Sequence, residues 1–307
     1  DTYQPVIFTS TGTYYYYVEV SLDGVGCTSS NSDVYEVEVV ADPVIDSEPI
    51  STQSLCVGGT AIDLSVSVSG GVASSMNYQW YSNTLNSNTG GDVIVGASSS
   101  SYTPASNQEG TFYYYAVVRQ SASDCSVVSS VSELEVTAIP TITTQPLSSE
   151  VCLDGAAEDL TVGYTGGAGV VTYQWYQNSS NSKTGATLIS GATSATYTPL
   201  TNIESVSYYY VELTFASSGC GSIGSDLARV SVVGQLEVAT VPVTETICVG
   251  GSASEFSVSY TKGLGTPSYQ WYTNTVYSNT GGTPIFGAVS DTYQPVIFTS
   301  TGTYYYY

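Results

Sequence analysis

Six cysteines are the residues of this chain best suited to covalent chemistry, because histidine is absent from it. They form two sets. Cys56, Cys152 and Cys248 lie 96 residues apart, in CVGG, CLDG and CVGG. Cys27, Cys125 and Cys220 lie 98 and 95 residues apart, each after a run of tyrosines. Without imidazole, Cys-His and Ser-His-Asp sites cannot be assembled from these residues, and a zinc site is disfavoured. An even number of cysteines in a Tyr-, Thr- and Ser-rich, Lys-poor chain points to extracellular disulfides.

The acidic residues offer little more. Paired carboxylates could hydrolyse glycosides, but Glu36, Glu38, Glu133 and Glu135 fall on predicted outer strand faces, and no fixed pair recurs. Glu36 and Glu38 fit better as solubilising charges on a sheet edge. Asp42, Asp46 and Glu48 could bind calcium at one linker. The next linker, AIPTITTQP, has no acid, so a site needed by every junction is not expected. Asn178-Ser-Ser is a lone glycosylation-type triplet, assigned to chance. No helix follows a Gly-rich phosphate loop. The sequence therefore predicts no catalytic residues, no metal and no cofactor, and the chain is not expected to be an enzyme.

A net charge of −22, from 26 acidic and 4 basic residues, repels nucleic acid and anionic lipid. No apolar run is long enough to span a membrane, so direct membrane insertion is not expected.

The elements that must position the cysteines repeat with them. YQWY occurs at 78–81, 173–176 and 269–272, so Trp80, Trp175 and Trp271 share the period of about 96 residues. Residues 1–17 and 291–307 are identical, DTYQPVIFTSTGTYYYY. They are equivalent segments three units apart, and the chain is expected to be a window on a longer tandem array. The expected division is 1–42, the C-terminal part of one repeat; 43–138 and 139–234, two complete repeats; and 235–307, the N-terminal part of a fourth.

Each unit alternates in short runs separated by Gly, Ser, Asn and Pro, as in Ala61-Ile-Asp-Leu-Ser-Val-Ser-Val, and no helical period is sustained. About seven strands with a Trp on the third predict an all-β fold: tandem immunoglobulin-like β-sandwich domains in an elongated rod. Trp80, Trp175 and Trp271 are the expected core. Tyr114, Ala116 and Val118 should face Trp80, as should Tyr209, Val211 and Leu213 in the next unit.

The CxGG turn, YQWY, the GAxSxxYxP run, YYYYV and a GC before the last strand together resemble the Ig-like repeats of giant Bacteroidota cell-surface adhesins of the gliding-motility SprB type. The resemblance covers the whole chain. It implies export by type IX secretion, an outer-membrane-attached filament at the cell surface, and a role in adhesion or gliding.

Two cysteine pairings are open. One is internal to a repeat, Cys56–Cys125 and Cys152–Cys220. The other crosses a junction, Cys56–Cys220, leaving Cys27, Cys125, Cys152 and Cys248 to pair with units outside the window. Strand length favours the second. The two cysteines of a unit belong to opposite sandwich ends, roughly 30 Å apart, and a disulfide needs Cα atoms within about 7 Å.

Tyr81, Tyr113 and Tyr115, with Tyr176, Tyr208 and Tyr210, fall on the predicted outer face. They are either cross-strand pairs that stabilise a sheet or a ladder of rings that touches polysaccharide or a solid surface.

The reading that results is the shaft of a long exported adhesin filament, whose partners are adjacent repeats of its own chain. The alternatives are a passive spacer in a secreted polysaccharide-degrading enzyme, and a carbohydrate-binding module using the tyrosine face. A catalytic domain elsewhere in the full gene product would favour the spacer, and glycan binding by an isolated pair of repeats the module.

Overall fold

The computed structural model describes residues 2–72, 76–121, 125–240 and 243–307. Every regular element among them is a β-strand, and no helix is long and apolar enough to cross a membrane. Two compact units divide the chain. One contains 1–141 with 165–171 and 214–222, and the other contains 142–164, 172–213 and 223–307.

In residues 44–137 one large sheet packs across the core from two short ones. The larger has the strand order Asp92–Val93, Met76–Asn83, Gly110–Gln120, Ser132–Thr137, Thr52–Cys56, and Ser126–Val128 also pairs with Gly110–Gln120. Its pairings are antiparallel except the last, where Thr52–Cys56 runs parallel to Ser132–Thr137. The smaller two are two-stranded, Val44–Ser47 with Ser67–Ser69 and Leu64–Ser65 with Ser101–Tyr102. The chain is an immunoglobulin-like sandwich here.

The first strand changes sheets. Val44–Ser47 belongs to a short sheet and Thr52–Cys56 to the large one. Pro49 stands between them; it is buried and has no N–H to continue the first ladder. Glu48 secures the crossing by accepting the Ser130 N–H at 2.8 Å. In the following repeat Pro146 is likewise buried, and Gln145 Oε1 accepts the Asp226 N–H at 2.8 Å.

The core follows from strand alternation. Leu134 and Val136 point inward while Glu135 between them is exposed. Tyr114, Ala116 and Val118 are buried with Trp80, Leu55, Leu64 and Val66. Trp80 is fully enclosed, and its indole N–H donates to Ser99 O at 3.0 Å. Trp175 and Trp271 donate in the same way to Ser194 O and Ser290 O, both at 2.9 Å.

The next repeat has the equivalent sheet, ordered Ser149–Cys152, Ala228–Val233, Ser205–Phe215, Val171–Asn178, Thr187–Leu188. Toward the chain ends the pattern continues in part. Gly12–Tyr16 pairs with Tyr35–Val39, and Tyr272–Asn274 lies between Thr283–Pro284 and Tyr305–Tyr306.

Candidate functional site

The feature with chemical consequence is a disulfide between Cys56 and Cys220, 164 residues apart in sequence, with S–S 2.12 Å and Cα–Cα 5.0 Å. Cys56 ends the strand Thr52–Cys56, and Cys220 sits in the hairpin after Ser205–Phe215. Both segments belong to the first compact unit. Both cysteines are buried.

Their local structures are tight turns. The Gly59 N–H donates to Cys56 O at 2.8 Å, and the Cys220 N–H donates to Ser217 O at 3.4 Å. Backbone bonds join the two turns: the Cys56 N–H donates to Ser218 O at 3.0 Å, and the Thr60 N–H to Ser218 Oγ at 2.9 Å. Two glycines permit this approach. A Cβ on Gly59 would stand 2.4 Å from Ser218 O, and one on Gly219 would stand 2.4 Å from Gly59 Cα. Gly219 also has φ 79°, which favours glycine. The sequence carries this requirement in the second Gly of CVGG and the Gly of SGC, but spacing alone does not reveal that the two glycines meet.

The internal pairings Cys56–Cys125 and Cys152–Cys220 are not formed, since Cys56 and Cys220 are bonded to each other. The turn at Cys56 lies where residues 137 and 138 leave the sandwich: Cys56 pairs with Thr137 in register, and its Sγ lies 3.5 Å from Ala138 O. Cys125 lies past the other end of Gly110–Gln120, an 11-residue strand that spans roughly 35 Å. Cys27 and Cys248 are exposed, and Cys152 is half-buried.

The tyrosine face is less open than strand alternation implies. Tyr115 is 3% exposed, and Tyr81, Tyr113, Tyr176, Tyr208 and Tyr210 are half-buried. Tyr81 and Tyr115 stack flat, centroids 5.1 Å apart and planes 5° apart. The loop following Met76–Asn83 folds over Tyr115, whose hydroxyl accepts the Gly91 N–H at 3.1 Å. A Cβ on Gly91 would lie 3.0 Å from the Tyr115 ring. Ala186 occupies the equivalent place in the next repeat, and there Tyr210 is the less covered ring. It stacks on Tyr176 at 4.9 Å, with Lys183 Nζ 5.4 Å from its centroid. Burial raises the Tyr210 pKa, and the neighbouring Tyr176 and Glu212 raise it further. Burial also pushes Tyr114 in the core up to about 12, with Tyr102 adding to the shift.

Gln79, beside Trp80, is likewise a structural group. Its amide donates to Trp80 O at 2.9 Å and Ile94 O at 2.8 Å, and Gln174 and Gln270 repeat both bonds in their own repeats. Asn178 is engaged too, donating to Ser182 O at 2.8 Å and Thr184 O at 3.1 Å. Of the linker acids, Asp46 accepts Ser69 Oγ at 2.7 Å and Glu48 accepts Ser130 N–H. Among the described residues no three His, Cys, Asp or Glu side chains gather into a possible metal site.

A family model described as "Domain of unknown function (DUF8696)" matches residues 48–138 and again 141–234, more than half of the chain. The chain belongs to the DUF8696 family. No curated protein matches it. Among solved structures, the DUF8696 chain is similar to the titin I-band fragment I67–I69, with 15% identity, TM-score 0.44, and coverage of 80% of this chain and 82% of that one. It is also similar to Sidekick-1 immunoglobulin domains 1–5, with 14% identity, TM-score 0.40, and coverage of 92% and 62%. A third likeness is to the fibronectin(III)-like modules of CbhA from Clostridium thermocellum, with 15% identity, TM-score 0.29, and coverage of 62% and 93%.

Proposed function

We propose that the DUF8696 chain is a stretch of the shaft of a long, exported cell-surface adhesin filament serving surface adhesion or gliding motility. Its divisions would be 1–42, 43–138, 139–234 and 235–307. The single observation that carries this reading is the Cys56–Cys220 bond, which ties the turn of one repeat to the hairpin of the next. An isolated binding module gains nothing from such a tie, whereas a chain under tension gains resistance to extension. A disulfide also suits an oxidising, extracellular setting. The scarcity of Lys and the acidic balance suit a solvated surface structure that does not clump. Type IX export and outer-membrane attachment come with the resemblance to Bacteroidota adhesins and belong to the same proposal.

The test is antibody labelling of the repeats on intact cells, combined with adhesion under flow by cells carrying Cys56→Ser and Cys220→Ser. Labelling of intact cells, with detachment of the variant at lower shear, is the expected result. Labelling that requires lysed cells would overturn the surface assignment. Equal detachment of variant and parent would overturn the mechanical role.

A further inference from the structure

The seated hairpin shows what a receiving turn consists of, and residues 152–155 reproduce it. The Gly155 N–H donates to Cys152 O at 2.8 Å, as Gly59 does to Cys56 O. Asp154 has φ 62°, where Gly58 has φ 81°. The Asp154 N–H is fixed on Thr201 O at 2.9 Å, as Gly58 N–H is on Ser106 O at 2.9 Å. Holding a left-handed conformation on an aspartate costs strain, yet the turn keeps its shape. The three atoms nearest a Cβ on Gly155 belong to its own segment, Val151 and Cys152. At Gly59 the nearest is Ser218 O of the seated hairpin.

A matching hairpin is also present. The Cys27 N–H donates to Gly24 O at 3.2 Å, and Gly26 has φ 84°, paralleling Cys220 with Ser217 O and Gly219 at φ 79°. Nothing lies within 4 Å of a Cβ on Gly26, whereas one on Gly219 meets Gly59. Val25 and Cys27 are exposed.

We infer that the Cys152–Gly155 turn is a second receiving site, and that its occupant is the Gly24–Cys27 hairpin of another copy of that repeat, held by a disulfide from Cys152. Residues 291–307 repeat residues 1–17, the segment that leads into this hairpin. The segment that leads into this hairpin thus recurs after the repeat that carries Cys152. Charge selects the same occupant. In sequence the Val25-Gly26-Cys27 tip carries no acid to set against Asp154, whereas Ser-Asp-Cys at 123–125 carries one. Val25 has no hydroxyl to match that of Ser218, so this docking has one hydrogen bond fewer. Bond formation converts two thiols into one disulfide. Their two protons and two electrons pass by exchange to an external disulfide, which leaves as two thiols.

The test is a peptide map of the native protein, isolated without reductant after alkylation of free thiols. The expected product is a Cys152 peptide cross-linked to a peptide containing the Gly-Val-Gly-Cys sequence of residues 24–27. In a Cys152→Ser variant that Gly-Val-Gly-Cys cysteine should become alkylated while the Cys56–Cys220 link persists. Alkylated Cys152 in the parent, or Cys152 linked to any other peptide, overturns the inference, as does a variant in which no Gly-Val-Gly-Cys cysteine becomes newly alkylated. The docking does not depend on export or adhesion, so the map can fail while surface labelling succeeds.

Discussion

Reducing the Cys56–Cys220 bond should release a fixed length of chain under tension. The bond spans 164 residues and holds its Cα atoms 5.0 Å apart. A fully extended chain covers about 3.3–3.6 Å per residue. The hidden segment therefore amounts to roughly 54–59 nm. Pulling the oxidised protein by its two ends loads the chain up to Cys56, crosses the disulfide and resumes at Cys220. The backbone between the two cysteines stays out of the force path, Trp80 and Trp175 included, whereas Leu55 of the first core and the strand Ala228–Val233 of the second repeat lie in the loaded chain. Optical-trap extension in the absence and presence of a phosphine reductant measures the difference directly. The oxidised chain should stop short of the reduced chain by about 55 nm of contour length, and the Cys56→Ser, Cys220→Ser variant should match the reduced chain in both conditions. Equal contour lengths for oxidised and reduced parent would refute the force-path reasoning.

Other outcomes follow from the same geometry. Gly59→Ala places a Cβ against Ser218 O, so refolding under oxidising conditions should leave Cys56 and Cys220 open to thiol labelling, with the sandwich intact by circular dichroism. Trp80→Ala removes a fully buried ring and should destabilise its repeat by about 3–5 kcal/mol in denaturant titration. Gln79→Ala removes the amide bonds to Trp80 O and Ile94 O, which keep the Ile94 and Ala97 N–H donors, and should cost about 0.5–1.5 kcal/mol in the same assay. Burial, with Tyr102 adding to it, pushes the Tyr114 pKa from the ordinary 10.0 up to about 12, so the folded state binds the extra proton between these values. Stability should therefore be complete below pH 10 and fall as pH rises from 10 through 12. Tyrosinate absorbance recorded alongside unfolding will show whether the two change together.

The repeat, the strands and the inward Trp follow from spacing and alternation, because both are periodic and a sandwich core depends on period. What alternation assigns is the side of a sheet, not its exposure. It places Tyr115 away from Trp80, yet the eight-residue loop 84–91, whose fold no period describes, comes down on that ring through Gly91. Gln79 is similar: its side chain turns back to tie the Ile94–Ala97 turn, a contact fixed by loop conformation. The change of sheet around Pro49 has a visible mark in the proline, but only register shows that the second half of the strand runs parallel to its new neighbour. For the cysteines, strand length distinguishes the two pairings in principle. The detail that makes the contact fit, Gly59 against Gly219, depends on three-dimensional approach between segments about 160 residues apart.

The bond between Cys56 and Cys220 also changes what a protease can accomplish. Exposed loops at Thr84–Asn86 and Ser179–Asn181 are natural places for a backbone nick, and both lie inside the bridged interval. A nick there leaves the two fragments in one molecule, because a second covalent route joins them. For a chain under load, such redundancy preserves continuity after the first cut.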